Sequence, residues 1–246
     1  MDIAPAGDIA APDIQLAWPA PTQPVELPGE EVHVWSASLL NPAFATYAKG
    51  ELLSQTEKDR SAKFHFERDR RNFVVRRSLL RAILGGYLKM DPAQLVFEYE
   101  EWGKPRLPPQ VGAPPLHFNF SHSRGLALCA VTGLAPIGVD VEKLRPMPEM
   151  AEIAATFCAA AENAQIKDAP EERKLEVFFG VWTRKEAFLK ANGQGLVGSL
   201  AQVDCSVAPP GWTLQTFSPA RGFAGSLAFP GTAAHVSCWR WEFPTT

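Results

Sequence analysis

The residues best suited to chemistry lie in four short clusters between Gly103 and Lys190. In Gly138-Val139-Asp140-Val141-Glu142, apolar and acidic residues alternate. On a strand that alternation sends Asp140 and Glu142 to one face, about 7 Å apart. Two carboxylates so placed repel unless a cation sits on them or one is protonated. Hard oxygen donors suit Mg²⁺, which takes one or two protein carboxylates and completes its shell with water and phosphate oxygens. Alone, the pattern equally describes the polar face of an ordinary strand. The second cluster is Trp182-Thr183-Arg184-Lys185-Glu186-Ala187-Phe188-Leu189-Lys190. Glu186 and Lys190 are i and i+4 and share a helical face, with Trp182 one turn earlier. A carboxylate beside an ammonium could join a metal site or take a proton, while the lysine meets a phosphate. Alone, it is a weak surface ion pair. In His117-Phe118-Asn119-Phe120-Ser121-His122-Ser123, the two phenylalanines take one face and Asn119 and Ser121 the other. His122 then sits at the strand end, able to donate to an anion, and no serine has an evident His/Asp relay. Gly103-Lys104-Pro105 is a tight turn that displays its lysine at the tip.

The elements that must carry these clusters follow from periodicity. Glu31–Leu39 reads as a strand through Val32, Val34 and Trp35. From Asp69 to Lys89 apolar residues recur at helical spacing, weakened by Gly85 and Gly86 and closed by Asp91-Pro92. Leu95–Glu100 alternates like a strand. Three more strands are predicted at His117–Ser121, Leu126–Thr132 and Ile137–Glu142, the first two joined by Ser-Arg-Gly. Met150–Ala164 looks helical, and Leu175–Asn192 is a stronger helix carrying Phe178, Phe179, Trp182 and Phe188. The pattern is mixed α+β with one long helix in each half.

Composition bounds the function. The chain has 246 residues, 46% hydrophobic and 21% charged, which supports a packed core. No apolar run approaches the length of a membrane span. Four cysteines lie far apart with no Cys-x-x-Cys, which argues for reduced buried thiols in a cytoplasmic protein. Residues 1–30 hold six prolines and neither lysine nor arginine, an extension that lacks the basic start of a secretory signal. Residues 57–81 carry nine basic and four acidic side chains, so this window is +5 on a chain of net charge −3. A basic patch on an acidic protein points to a local anionic partner.

The order of the four clusters is more specific than any one of them. Gly-Lys-Pro, Asn-x-Ser-His, Gly-Val-Asp-x-Glu and Trp-x-x-Lys-Glu-Ala-x-x-Lys occur here in the sequence and spacing of the surfactin-type (Sfp-type) 4′-phosphopantetheinyl transferase family, which the chain resembles from about Val32 to Leu200. The upstream Glu57-Lys58-Asp59-Arg60 segment resembles the family's basic stretch before its first long helix. The resemblance implies an α+β pseudo-dimer of two similar α/β subdomains, each with a long helix packed on a small sheet. It implies subdomains at residues 31–135 and 136–246 after the Pro-rich extension, with the metal site at their interface. The implied reaction moves the 4′-phosphopantetheine arm of coenzyme A onto a serine of an apo acyl or peptidyl carrier protein. Adenosine 3′,5′-bisphosphate is released.

The family's residues carry over position by position. Asp140, Glu142 and Glu186 would surround Mg²⁺, with Mn²⁺ as a substitute. Glu186 would serve as the base, beside Asp140 and Lys190 in the catalytic set. Arg60, Lys104, Pro105, Asn119, Ser121, His122, Lys185 and Lys190 would line the coenzyme A site. Some relatives carry a basic residue where Glu57 stands. A monomer without nucleic-acid or membrane partners is expected. The competing readings are a non-catalytic coenzyme A or carrier-binding module, a nucleic-acid binder using Arg68–Arg81, and a Mg²⁺-dependent phosphohydrolase. The complete set of carboxylates disfavours the first, the acidic remainder the second, and the Gly-Lys-Pro and Ser-His elements the third.

Overall fold

The computed structural model describes residues 17–101, 103–109, 114–193, 200–231 and 235–243; the first sixteen residues of the Pro-rich extension lie outside these. The predicted first strand is present as β1 (Glu31–Ser38). Ser54 caps α1 (Gln55–Ala62), with the Glu57 carboxylate bonded back to the Ser54 amide. The predicted long helix is α2 (Glu67–Leu88), which runs through Gly85 and Gly86 and ends at Lys89 in the left-handed region. The strand expected over 95–100 shrinks to β2 (Glu98–Tyr99), paired with β3 (Pro105–Arg106). The cause is upstream: Pro92–Gln94 forms a 3₁₀ turn, and the buried Arg81 guanidinium takes the carbonyls of Pro92 and Leu95.

Next come β4 (His117–Ser123) and β5 (Leu126–Thr132). Their connection is shorter than expected, with Arg124 (φ 43°) and Gly125 (φ 89°) both left-handed. That pair of conformations suits a two-residue hairpin loop, so β4 continues through His122 to Ser123. The second half holds β6 (Gly138–Lys143), α3 (Met150–Phe157), α4 (Ala160–Asp168), α5 (Lys174–Asn192), β7 (Trp212–Phe217), β8 (Phe223–Pro230) and β9 (His235–Arg240). The single helix expected over 150–164 is broken at Cys158-Ala159. There the Ala159 amide donates to the buried Glu162 carboxylate at 2.6 Å, which starts a new helix.

The strands form a four-stranded sheet ordered β4-β5-β1-β9, a three-stranded sheet ordered β6-β8-β7, and the small β2-β3 ribbon. β9 runs parallel to β1, so the last strand of the chain joins the first half's sheet rather than staying with residues 136–230. Trp239 and Trp241 of this return segment pack around Trp35. One core lies under α2, built from Trp35, Leu79, Ile83, Leu84, Phe118 and Cys129. Another lies where the two sheets meet, built from Val32, Val34, Leu128, Val139, Val141 and Leu227. Alternation along β1 feeds both: Val32 and Val34 face one core, Trp35 and Ala37 the other.

Gly138 fixes how closely α5 lies on β6. A Cβ there would stand 1.9 Å from the Ala187 carbonyl oxygen and 2.7 Å from the Ala191 amide nitrogen. Both are helix backbone and cannot rotate away. Gly138→Ala is therefore expected to cost about 2–3 kcal/mol, the range of overpacking in a filled core. For a chain of this size that corresponds to a fall in melting temperature of about 2–4 °C per kcal/mol, read by thermal unfolding.

Among the described residues Cys129, Cys158 and Cys205 are buried free thiols and Cys238 is half-buried and free. None of the described helices is long and apolar enough to cross a membrane.

Candidate active site at the seam between the sheets

β4 and β6 are not backbone-paired, yet their side chains join them. Asn119 Oδ1 accepts from the Val139 amide at 2.8 Å. Ser121 Oγ donates to Asp140 Oδ1 at 2.8 Å, and Ser123 Oγ donates to Glu142 Oε2 at 2.7 Å while accepting from the Lys143 amide. The period of two on each strand makes this seam: alternate polar residues of β4 meet alternate residues of β6. Val139 and Val141 occupy the opposite, buried face, as the alternation predicts. Ser123 was not anticipated as a partner, because only the longer β4 brings it opposite Glu142.

α5 supplies the remaining groups. Lys190 Nζ lies 2.6 Å from Asp140 Oδ1 and 3.4 Å from Ser121 Oγ. The carboxylate of Glu186 is pushed above its usual range by burial. Lys190 opposes that shift; Asp140 and Glu142 add to it. Glu186 thus feels both strand carboxylates and the ammonium. A carboxylate raised in this way is a better proton acceptor near neutral pH. Glu186 and Lys190 line a cavity of about 450 Å³ together with Lys104, Pro105 and Asn119.

The carboxylates do not form a closed cage. Among the described residues no group of three or more His, Cys, Asp or Glu side chains is gathered to hold a metal. Glu142 is half-engaged elsewhere, 2.7 Å from Ser123 Oγ and 3.6 Å from Arg145. The donor chemistry still fits Mg²⁺. Asp140 Oδ2 is buried with no hydrogen-bond partner, an acceptor left open in a polar cleft. One or two carboxylates are what this ion requires when phosphate oxygens complete its shell.

Three positions differ from expectation. Lys104 is not displayed at the tip of its turn. It is half-buried and donates to the carbonyls of Ile137 (3.3 Å) and Lys190 (2.5 Å), tying the β2-β3 ribbon to the end of α5. Lys185 does not face the cleft. One residue of helix rotates it about 100° from Glu186, into a buried ion pair with Glu162 at 2.8 Å and onto the carbonyls of Leu200 and Val203. Its ammonium is saturated there, so it is removed from the coenzyme A set. Arg60 is exposed over the Phe73 ring, 5.5 Å from its centroid, apart from the Asp140 cluster. Glu57, which stands where some relatives carry a base, is buried and holds Arg81 at 2.7 Å and Arg77 at 3.2 Å.

His122 faces α2 rather than β6, and Arg76 Nη1 lies 2.7 Å from its Nε2. Loss of surrounding water, then Arg76 and Lys190, push the imidazole down to about 4, against the pull of Asp140. The ring is therefore neutral at pH 7 in the free protein. A phosphate dianion placed on it favours the protonated form and raises its pKa. If a coenzyme A phosphate sits there, binding should take up a proton, and the share of affinity owed to His122 should fall as pH rises above about 4. Calorimetry in buffers of different ionisation enthalpy measures that uptake, and His122→Asn should abolish it. For the unliganded fold the sign is separate. A lowered histidine pKa costs stability as pH falls through 6.5 towards 4.

Residues 39–133 match the profile "4'-phosphopantetheinyl transferase, N-terminal", and residues 136–227 match "4'-phosphopantetheinyl transferase superfamily". The 4'-phosphopantetheinyl transferase HetI of Nostoc sp. strain PCC 7120 is 35% identical over 237 residues, covering 93% of this chain and 100% of the relative. The chain belongs to the 4′-phosphopantetheinyl transferase superfamily. A putative 4'-phosphopantetheinyl transferase of Synechocystis, slr0495, is 34% identical over 170 residues, 69% of this chain and 68% of that protein. The Sfp transferase of Bacillus subtilis strain 168 is 29% identical over 144 residues, 58% and 62% of the two chains. In this chain the four sequence clusters fall where the two sheets and α5 converge. The mixed α+β architecture with two transferase domains agrees with the expected fold class.

Proposed function

We propose that the protein transfers 4′-phosphopantetheine from coenzyme A to a serine hydroxyl of an apo acyl or peptidyl carrier protein, and acts as a monomer. The observation that carries this reading is the Asp140 carboxylate. It is gripped on one oxygen by Lys190 and Ser121 and open on the other, with Glu186 near enough to feel its charge.

Glu186 takes the proton from the attacking serine oxygen, directly or through one water. The serine oxygen forms a bond to the phosphorus that bears the pantetheine arm. The P–O bond of the pyrophosphate breaks, and adenosine 3′,5′-bisphosphate leaves with the bond's electron pair. Lys190, already held at the reacting locus, balances negative charge gathering on the leaving phosphate. Lys104 and Pro105 hold the adenosine side of the cleft, with Asn119 and Ser121 lining it. Arg60 and His122 meet the outer phosphate. Asp140 and Glu186, with Glu142 behind them, are the groups that would hold Mg²⁺. Bound there, such an ion would neutralise pyrophosphate charge and so ease departure of the leaving group.

Intact-protein mass spectrometry of several apo carriers, incubated with coenzyme A, Mg²⁺ and this protein, tests the reading. A gain of one phosphopantetheine arm is expected, and chelation should remove it.

A further inference from the structure

Beyond the transferase chemistry, and resting on the monomer proposed above, we infer that residues 17–27 form a clasp that guards the outer edge of β9 and keeps a second copy of this chain from pairing there. The two sheets meet at β4 and β6 through the side-chain seam. Their remaining edge strands are β9 and β7. Residues 17–27 tie these two together. The Pro19 carbonyl accepts from the amide of Arg240, the last residue of β9, at 2.9 Å. One residue earlier, the Trp18 ring lies 6.3 Å from that of Phe217, the last residue of β7, and packs against the core between the sheets. Val25 and Leu27 pack against the other core, under α2. One short segment thus touches both edge strands and both cores. The Glu26–Lys89 pair at 3.1 Å is exposed and adds little, so apolar burial holds the clasp.

Hydrogen-bond directions show what is guarded. The Trp241 amide donates inward to Ser36 of β1, and the Arg240 amide donates outward to Pro19. Strand alternation puts the amides of Val236 and Cys238 on the same outer side as that of Arg240. Among the described residues, neither donates to another segment. A row of open edge groups is a template for a further strand. The clasp occupies one end of that row. It also carries Pro19, Pro21 and Pro24, which have no amide hydrogen to offer. Pro19 accepts from β9 and cannot pass a ladder on. A segment built this way ends a sheet instead of extending it. With the clasp released, β9 of one copy can pair with β9 of another about a two-fold axis, the commonest closure for identical chains.

Sedimentation velocity at about 10 and 100 µM, where open strand edges associate, compares the native protein with full-length Trp18→Ser/Val25→Ser. The native protein should be monomeric at both concentrations. The double variant should self-associate at least about tenfold more tightly. Adding Cys238→Pro should restore the monomer, because it removes an outward amide hydrogen that the β1 ladder does not use. Trp18→Phe should stay monomeric, since the indole nitrogen is buried without an acceptor and only the ring is needed. A folded double variant that remains monomeric, or a dimer that survives Cys238→Pro, would overturn the clasp alone. A native dimer would remove the monomer reading and the clasp with it. Native-state hydrogen exchange needs no variant. The Arg240 amide should exchange at least about tenfold more slowly than in an unfolded chain, and an unprotected rate would contradict the clasp. Neither measurement uses a carrier or coenzyme A, so each stands whatever the outcome for transfer.

Discussion

Asp140→Asn is expected to lower phosphopantetheine transfer by about a thousand-fold while leaving the melting temperature within a few degrees of the native value. The amide keeps the shape and can still accept from Ser121. It loses the negative charge that Lys190 meets at 2.6 Å and that a divalent cation would need. Glu186→Gln should lose about 10²- to 10⁴-fold, because the proposed acceptor of the serine proton is gone while its volume remains. Single-turnover transfer to a saturating apo carrier measures both. The two losses should not multiply in the double variant, since metal holding and proton removal act on one step. A Glu186→Gln protein with native turnover would leave the reaction intact and remove Glu186 as its base.

The second large effect falls on stability. Lys185→Met should destabilise the fold by about 3–5 kcal/mol, because it leaves the fully buried Glu162 carboxylate without its counter-charge. The remaining donors to Glu162 are the backbone amides of Ala159 and Cys205, which soften that cost without neutralising the charge. Pairing the change with Glu162→Leu should restore much of the loss, since an apolar pair of similar volume often replaces a buried ion pair without penalty. Urea unfolding of the single and double variants measures this. Coenzyme A affinity of the folded Lys185→Met protein should stay within about twofold of native, because Lys185 faces the α4 side of α5. A large selective loss of coenzyme A affinity would return Lys185 to the donor site.

The contrast between Lys185 and Glu186 shows what the sequence could disclose. Helical period separates the two onto different faces of α5, and alternation separates Asp140 and Glu142 from Val139 and Val141. β1, α2 and α5 were legible because their apolar periods span many residues. What lies opposite each face was not legible. The partner of Lys185 comes from α4, a helix whose start depends on a buried glutamate bonding to a backbone amide. The seam partners of Asp140 and Glu142 sit on a strand extended by a two-residue turn, which local propensity left one residue too long. The parallel return of β9 to β1 joins residues some two hundred positions apart and leaves no local mark. Arg76 was one of nine basic residues in a charged window, and counting charge does not say which of them faces a histidine. The expected three-carboxylate metal cage resolves into a narrower arrangement. Asp140 presents an open oxygen, Glu186 feels its charge, and Glu142 is turned partly to Ser123 and Arg145.

The central claim is tested most directly by the mass of an apo carrier protein after incubation with coenzyme A, Mg²⁺ and the native protein, run beside Asp140→Asn. A gain of one phosphopantetheine arm on the carrier serine, with adenosine 3′,5′-bisphosphate released in equal amount and both lost in the variant, is the expected result. Release of adenosine 3′,5′-bisphosphate at the same rate without a carrier, and no mass gain on any carrier, would contradict it and make the site a phosphohydrolase.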